Sequence, residues 1–168
     1  MNTGTINPLE VGNFLSSYYP EFDMVVKSND ELWKLLGDSK EGFTLFAPNI
    51  EAFSKLSDKQ IKQLQDPRNK ETTDKIGLYH AIAEVVMADQ LFASGGVITL
   101  GGEVPVGRSI TGGLFGFGGQ EDGGILIQQA RITQSYEIST GIIHEVDTLI
   151  SPQILWRYMD QLRIPGSK

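Results

Sequence analysis

The sequence predicts an α+β protein in which helices come first and antiparallel strands follow. Before Gly95, apolar residues recur mainly at helical spacing; after it they form short runs bounded by glycine or proline. Helical and strand segments do not alternate, so the pattern does not favour a parallel α/β fold. The 168 residues correspond to about one domain, and no internal repeat is visible.

Two helical segments are predicted at the N-terminal end. The first covers Pro8–Ser17 and is stopped by a proline, and the second covers Phe22–Leu36 with apolar residues at helical positions. Ser28 and Glu31 have the spacing of a capping box, which predicts a fresh helical turn there. Gly37 is placed to end the second segment.

A strand and two further helices follow. Phe43–Phe46 is a short apolar run that Pro48 closes, and this favours a strand. Asn49 can cap the next helical turn, and Ser57–Gln60 reads as a capping box. Helical spacing then continues over Lys70–Val86.

The C-terminal half is predicted to be mainly strands. Val97–Leu100 and Glu103–Val106 flank a Gly-Gly pair, which is typical of a β-hairpin. The later strands and the final helix are predicted over Ile125–Gln129, Ala130–Tyr136, Ile142–Ile150 and Pro152–Arg163.

Composition excludes several classes of function. The net charge is −7, with no run of basic residues, so nucleic-acid binding is not expected. There are no cysteines and only two histidines, which removes thiol chemistry, disulfides and a histidine-rich metal site. No apolar stretch is long enough to span a membrane, and the first twenty residues do not form an export signal. We therefore expect no metal, no cofactor and no direct membrane span.

Three separated segments resemble the fasciclin domain family. The stretch TLFAPNIEAF at 44–53 resembles its first signature, Tyr79-His80 its central pair, and GIIHEVDTLISP at 141–152 its last strand. The motif positions with an expected structural role are Thr44, Phe46, Pro48, Phe53, Gly141, His144 and Asp147.

This resemblance implies a wedge of two small antiparallel β-sheets with helices packed around it, a β-sandwich-like core. It also implies a non-enzymatic domain that acts by protein or carbohydrate contact. One departure is that Ala81–Glu84 follows the Tyr-His pair where the family has proline and glycine, so this corner is expected to stay helical. The expected divisions are an N-terminal extension 1–19, a domain 20–152 with a glycine-rich insertion 110–124, and a C-terminal helix and tail 153–168.

The glycine-rich insertion is the first candidate contact region. It holds seven glycines in fifteen residues, but it lacks the Lys-Ser/Thr of a phosphate-binding loop. It can be a flexible hairpin tip, or its apolar residues Leu114, Phe115 and Phe117 can anchor in a groove of a partner.

Three further residues are contact candidates. The family associates the region of Tyr79 and His80 with receptor contact. Trp156 lies off the apolar stripe of the final helix, so it either packs on the sheet edge or contacts a partner.

Three functions remain open from the sequence. The first is an adhesion-type protein-interaction module. The second is an extrinsic subunit that docks on the lumenal side of a photosynthetic membrane complex such as a photosystem. The third is a hydrolase that pairs His144 with Asp147 or Ser151, although no nucleophile elbow is present. The first two predict an extracytoplasmic mature form, which is secreted, periplasmic or in the thylakoid lumen.

Overall fold

The computed structural model describes residues 8–38, 41–111, 119–138 and 140–160. Seven strands form a sheet, and eight α-helices of this described part pack around it. The helices are α1 Pro8–Tyr18, α2 Pro20–Ser28, α3 Asp30–Asp38, α4 Ile50–Ser54, α5 Asp58–Gln65, α6 Lys70–Leu78, α7 Ala88–Ser94 and α8 Gln153–Arg157, with a 3₁₀ turn at Pro67–Asn69. The strands are β1 Thr44–Pro48, β2 Ala81–Ile82, β3 Gly96–Thr99, β4 Gly102–Thr111, β5 Gln120–Ile127, β6 Ala130–Ile138 and β7 Gly141–Val146.

The strands follow one hydrogen-bonded order, β2-β1-β7-β6-β5-β4-β3. Both ends of this order meet, because the Leu100 N–H donates to the Ala81 carbonyl over 2.9 Å, and the sheet is nearly closed. The α+β class is therefore confirmed, whereas the expectation of two separate small sheets is not. The expectation of purely antiparallel pairing is wrong for one pair: β1 and β7 run parallel, with Phe46 opposite His144.

Strands β1 and β7 lie at the centre of the core. All five residues of β1 are buried. Because successive side chains of a strand point to opposite faces, Leu45 packs in a cluster with Phe22 and Ile143, whereas Phe46 packs in a second cluster with Val146. The centre of the sheet thus separates two apolar cores, one under the N-terminal helices and one under the hairpins.

Asn29, rather than Ser28, caps α3. The Asn29 side-chain oxygen accepts hydrogen bonds from the Glu31 and Leu32 N–H groups, while the Ser28 hydroxyl donates back to the Val25 carbonyl. The predicted segment is therefore split into α2 and α3 one residue later than the sequence suggested. The predicted stop at Gly37 is also wrong, since α3 runs through it.

The next two predicted caps are confirmed. Asn49 accepts a hydrogen bond from the Ala52 N–H over 3.0 Å, and it begins α4. Ser57 and Gln60 form the complete capping box of α5.

The corner after Tyr79-His80 is a strand, so the prediction of continued helix is wrong. In β2, Ala81 pairs with Leu45 and Ile82 with Thr44. Strand pairing with β1 outweighs the local helical pattern here, as tertiary contacts often do.

The C-terminal elements agree with the predictions in type and differ in length. The β3–β4 hairpin is present, with Thr99 opposite Gly102, and Gly102 has φ of +140°. Strand β7 ends at Val146 instead of residue 150, and α8 ends at Arg157 instead of residue 163. Within the described ranges, no helix has the length and apolar character needed to cross a membrane.

Candidate functional site

Tyr79 and His80 follow the last turn of α6, where the chain enters the sheet. His80 is 1% exposed. Its Nε2 accepts a hydrogen bond from the Ile150 N–H over 3.0 Å, and its Nδ1 lies 3.0 Å from the Ile76 carbonyl oxygen. Because Nε2 must accept and a carbonyl can only accept, the proton resides on Nδ1. The ring thus joins α6 to the segment that follows β7.

Burial keeps the His80 ring neutral. Removal from water lowers its pKa to about 4, although hydrogen bonding to the Ile76 and Gly77 backbone opposes the shift. The buried ring offers no surface to a partner, so any effect of His80 on binding is indirect. Tyr79 is half-buried and covers the hairpin turn, where a Cβ at Gly101 would lie 2.8 Å from its ring. Its receptor-contact role stays a prediction.

His144 occupies the centre of β7 and is fully buried. Its Nε2 lies 2.8 Å from the Val86 carbonyl oxygen, and its Nδ1 lies 2.7 Å from the Ser135 hydroxyl. The proton therefore resides on Nε2, the opposite tautomer to that of His80. Burial lowers the pKa of His144, although the hydrogen bond to the Val86 carbonyl opposes this shift.

The structure does not assemble the hydrolytic group that the sequence left open. Asp147 accepts a hydrogen bond from the Arg131 N–H, and Ser151 accepts one from Trp156. Since the Nε2 of His144 bonds a main-chain carbonyl, no carboxylate orients the ring as a catalytic triad requires. Within the described part of the chain, no three His, Asp or Glu side chains are grouped as metal ligands.

Sequence reasoning missed a polar junction at Glu145. Its carboxylate accepts hydrogen bonds from the Tyr19 hydroxyl over 2.6 Å, the Thr133 hydroxyl over 2.6 Å and the Asn49 amide over 3.0 Å. Partial burial by itself would raise its pKa, but these hydrogen bonds lower it overall. Burial and Glu145 together raise the pKa of Tyr19. The junction fastens the N-terminal helices to β7.

Trp156 is half-buried on α8, and its indole N–H donates to the Ser151 hydroxyl over 3.0 Å. It packs partly against the core under the N-terminal helices and lines an open, amide-rich groove of about 520 Å³. Its contact role stays a prediction. The amides of this groove belong to Gln60, Gln128, Gln129 and Gln153.

The glycine-rich insertion lies between β4 and β5. Both strands continue into it, with Ile110 opposite Glu121 and Thr111 opposite Gln120. We call residues 109–111 and 120–124 the ribbon. The predicted anchor residues Leu114, Phe115 and Phe117 lie outside the described residues.

The base of the ribbon is held by a polar cluster. Asp122 accepts a hydrogen bond from the Ser109 hydroxyl and another from the Gly124 N–H, the latter over 2.8 Å. Arg131 of β6 donates to the same Ser109 hydroxyl over 2.8 Å. The hydrogen bond from the Ser109 hydroxyl is the main reason that the pKa of Asp122 is lowered.

Comparisons with known proteins agree with this geometry. A family model described as the fasciclin domain matches residues 17–152. A Synechocystis protein, sll1483, is 33% identical over 116 residues, which is 68% of this chain and 58% of that relative. Among solved structures, the FAS1 domain pair of the insect cell adhesion molecule Fasciclin I superposes with a TM-score of 0.60 at 15% identity.

The chain is shorter than these proteins. The match to the FAS1 pair covers 87% of this chain and 52% of the insect chain, so about one domain of the pair corresponds to it. The superposition concerns the fold, while the family match covers all three sequence signatures. The chain therefore belongs to the fasciclin domain family, a family of adhesion-type protein-interaction modules that are generally not enzymes.

Proposed function

We propose that this fasciclin domain binds a protein partner through the ribbon. The observation that carries the proposal is the position of Ile110, an apolar side chain that is 62% exposed on a part of the sheet with no neighbouring strands. Pairing of β3 with β4 reaches only Pro105, and pairing of β6 with β5 reaches only Leu126. Beyond these points, β4 and β5 pair only with each other in the described part of the chain.

The ribbon is ordered before a partner arrives. Ser109, Asp122 and Arg131 fix its base, and paired strands continue to Thr111 and Gln120. A pre-ordered arm loses less conformational entropy on binding than a disordered one does. Exposed apolar side chains on such an arm gain free energy when a partner removes them from water.

Charge supports the choice of a protein partner with a basic surface. The whole chain carries a net charge of −7, although Glu121 on the ribbon is already paired with Arg108 over 3.5 Å. Complementary charge mainly increases the association rate. The partner that this arm fits is therefore an apolar pocket on a protein with a basic surface.

The test replaces Ile110 by Ser and, separately, both Phe115 and Phe117 by Ser. We expect an almost unchanged melting temperature together with weaker co-purification of the partner. Ile98→Ser is the matched control, because Ile98 is 75% exposed on β3 and lies outside the ribbon. Loss of thermal stability with intact association would show that these residues pack on their own domain.

The identity of the partner separates two finer proposals. We keep docking on the lumenal side of a photosynthetic membrane complex, with an extracytoplasmic mature form, as the alternative to a free adhesion partner. Co-migration with a solubilised membrane complex at low salt, and release at high salt, would support docking. Recovery of the chain only in fractions free of such complexes would contradict it.

A further inference from the structure

An apolar groove lies between α2 and α5, beside the core under the N-terminal helices. We call it the α2–α5 groove. Its volume is about 280 Å³, near the lower end of small-ligand pockets. Its lining includes Glu21, Met24, Ile61, Leu64 and Thr73.

The packing around this groove is incomplete. Helix α5 has no buried residue, although Ile61 and Leu64 turn toward the groove and are only half-buried. Met24, at the rim, is 66% exposed. An apolar ligand would remove these three side chains from water, and this supplies a free energy of binding.

The groove continues inward into a small space. Val25, Phe53, Leu64 and Thr73 line both the groove and a void of about 10 Å³ beneath it. A void of this size is at the lower limit for holding one water molecule. Atoms around an empty space lack contacts on one side, so the groove floor can gain contacts from an aliphatic chain.

Two polar groups of the groove have no partner among the residues that the structure describes. The Thr73 hydroxyl is buried and forms no hydrogen bond, and Thr73 as a whole is 6% exposed. The half-buried Glu21 carboxylate takes part in none of the hydrogen bonds or ion pairs of the described residues. Both groups can accept a hydrogen bond.

Among the described residues, no cation lines the groove to balance Glu21. Lys70 reaches the Ser28 carbonyl at one end over 2.8 Å, but its ammonium is held by Asp74 over 2.6 Å. A ligand whose head group is an anion would therefore face Glu21 unfavourably. A head group that donates hydrogen bonds and carries positive charge fits the same position.

We propose that the α2–α5 groove is a binding site for a small aliphatic amine, with its chain against Met24, Ile61 and Leu64 and its ammonium group donating to the free acceptors. The groove spans α2 from Glu21 to Ser28, which is about 10 Å along a helix. An eight-carbon chain has about this length, so octylamine is a suitable probe. The site is independent of the ribbon.

The test is calorimetric titration of the full chain with octylamine, 1-octanol and octanoate at neutral pH. We expect saturable 1:1 binding of octylamine, weaker binding of 1-octanol and no binding of octanoate. Amide NMR shifts should be confined to α2, α5 and the neighbourhood of Thr73. Equal binding of octanoate, or shifts around Ile98 and Ile110 instead, would overturn the proposal.

Variants separate the two parts of the site. Glu21→Gln should weaken octylamine binding about fivefold and leave 1-octanol unchanged, whereas Ile61→Gln should abolish binding of both. Ile154→Gln is the matched control, since Ile154 is 54% exposed on α8, outside the groove. Thr73→Val should weaken octylamine without lowering the melting temperature, because the hydroxyl has no partner to lose. If Ile61→Gln instead abolishes a concentration-dependent dimer, a second copy occupies the groove and the proposal is wrong.

Discussion

Strands β1 and β7 at the centre of the sheet and the ribbon at its periphery differ in what surrounds their side chains. In the centre, every residue of β1 is buried, and both ring nitrogens of His144 have hydrogen-bond partners. In the ribbon, Ile110 and its neighbours are largely exposed, and only the base is fixed by side chains. The family's sequence signatures lie in and around the centre, which indicates that they specify the fold.

The largest effect is expected from removing the buried His80 ring. His80→Ala should lower the free energy of unfolding by about 3–5 kcal/mol. The change leaves the Ile150 N–H without a partner, removes one of the two donors to the Ile76 carbonyl and opens a cavity. Chemical denaturation measures the loss in the free energy of unfolding, and Ile154→Ala, at an exposed site, is the control. A loss of less than about 1 kcal/mol would show that the centre of the sheet does not depend on this ring.

A pH dependence of stability should follow from the two buried histidines. The unfolded chain binds a proton at each histidine near pH 6.5, whereas folded His80 has a pKa of about 4 and that of His144 is also lowered. Because the unfolded state binds more protons in this window, stability should fall as the pH decreases from about 6.5 to 4. The shift at His80 alone corresponds to roughly 3 kcal/mol.

The pH experiment measures urea denaturation between pH 7.5 and 4.5. Glu145→Gln serves as the control, because the pKa of Glu145 is lowered. Its contribution to the pH dependence of stability therefore lies below about pH 4.5. The variant should therefore keep the same slope between pH 5 and 6.5. A stability that is constant over this interval would contradict the neutral, buried state of the histidines.

The smallest effect on global stability is expected at the base of the ribbon. Asp122→Ala removes the acceptor for the Ser109 hydroxyl and the Gly124 N–H. The polar cluster at the base of the ribbon is at the surface, so its loss should cost little global stability. We expect a nearly unchanged melting temperature and hydrogen exchange about tenfold faster at the ribbon amides. Glu103→Ala, at an exposed position of β4 outside the ribbon, should leave the exchange rates unaltered. Equal protection in both variants would mean that strand pairing alone orders the ribbon.

Local patterns predicted the local structure well. The caps at Asn49 and Ser57 are determined by residues within three positions of each other, and both are confirmed. The error at Ser28 has a physical basis, because Asn29 beside it is an equally good cap and its amide also donates to the Asp74 carbonyl over 3.0 Å. That contact comes from α6 and is invisible in the local sequence.

Long-range features could not be predicted from the sequence pattern. Ala81 and Ile82 form a strand only because β1 lies beside them. The three partners of Glu145 come from separate segments of the chain, and their convergence requires the assembled fold. The α2–α5 groove likewise needs four helices in place, although the pairing of Ile61 and Leu64 on a helix with few other apolar residues was a visible signal.

The parallel pairing of β1 and β7 also sets the order in which the chain can fold. Thr44 pairs with Ile142, so nearly one hundred residues must be made before β1 meets this neighbour. At the usual rate of synthesis, this takes about 5–20 s. During that time the buried strand β1 has only its two-residue pairing with β2, while the β3–β4 hairpin downstream can close within microseconds. We therefore expect β1 to be prone to aggregation during this interval, and the folding rate to depend on its late pairing with β7.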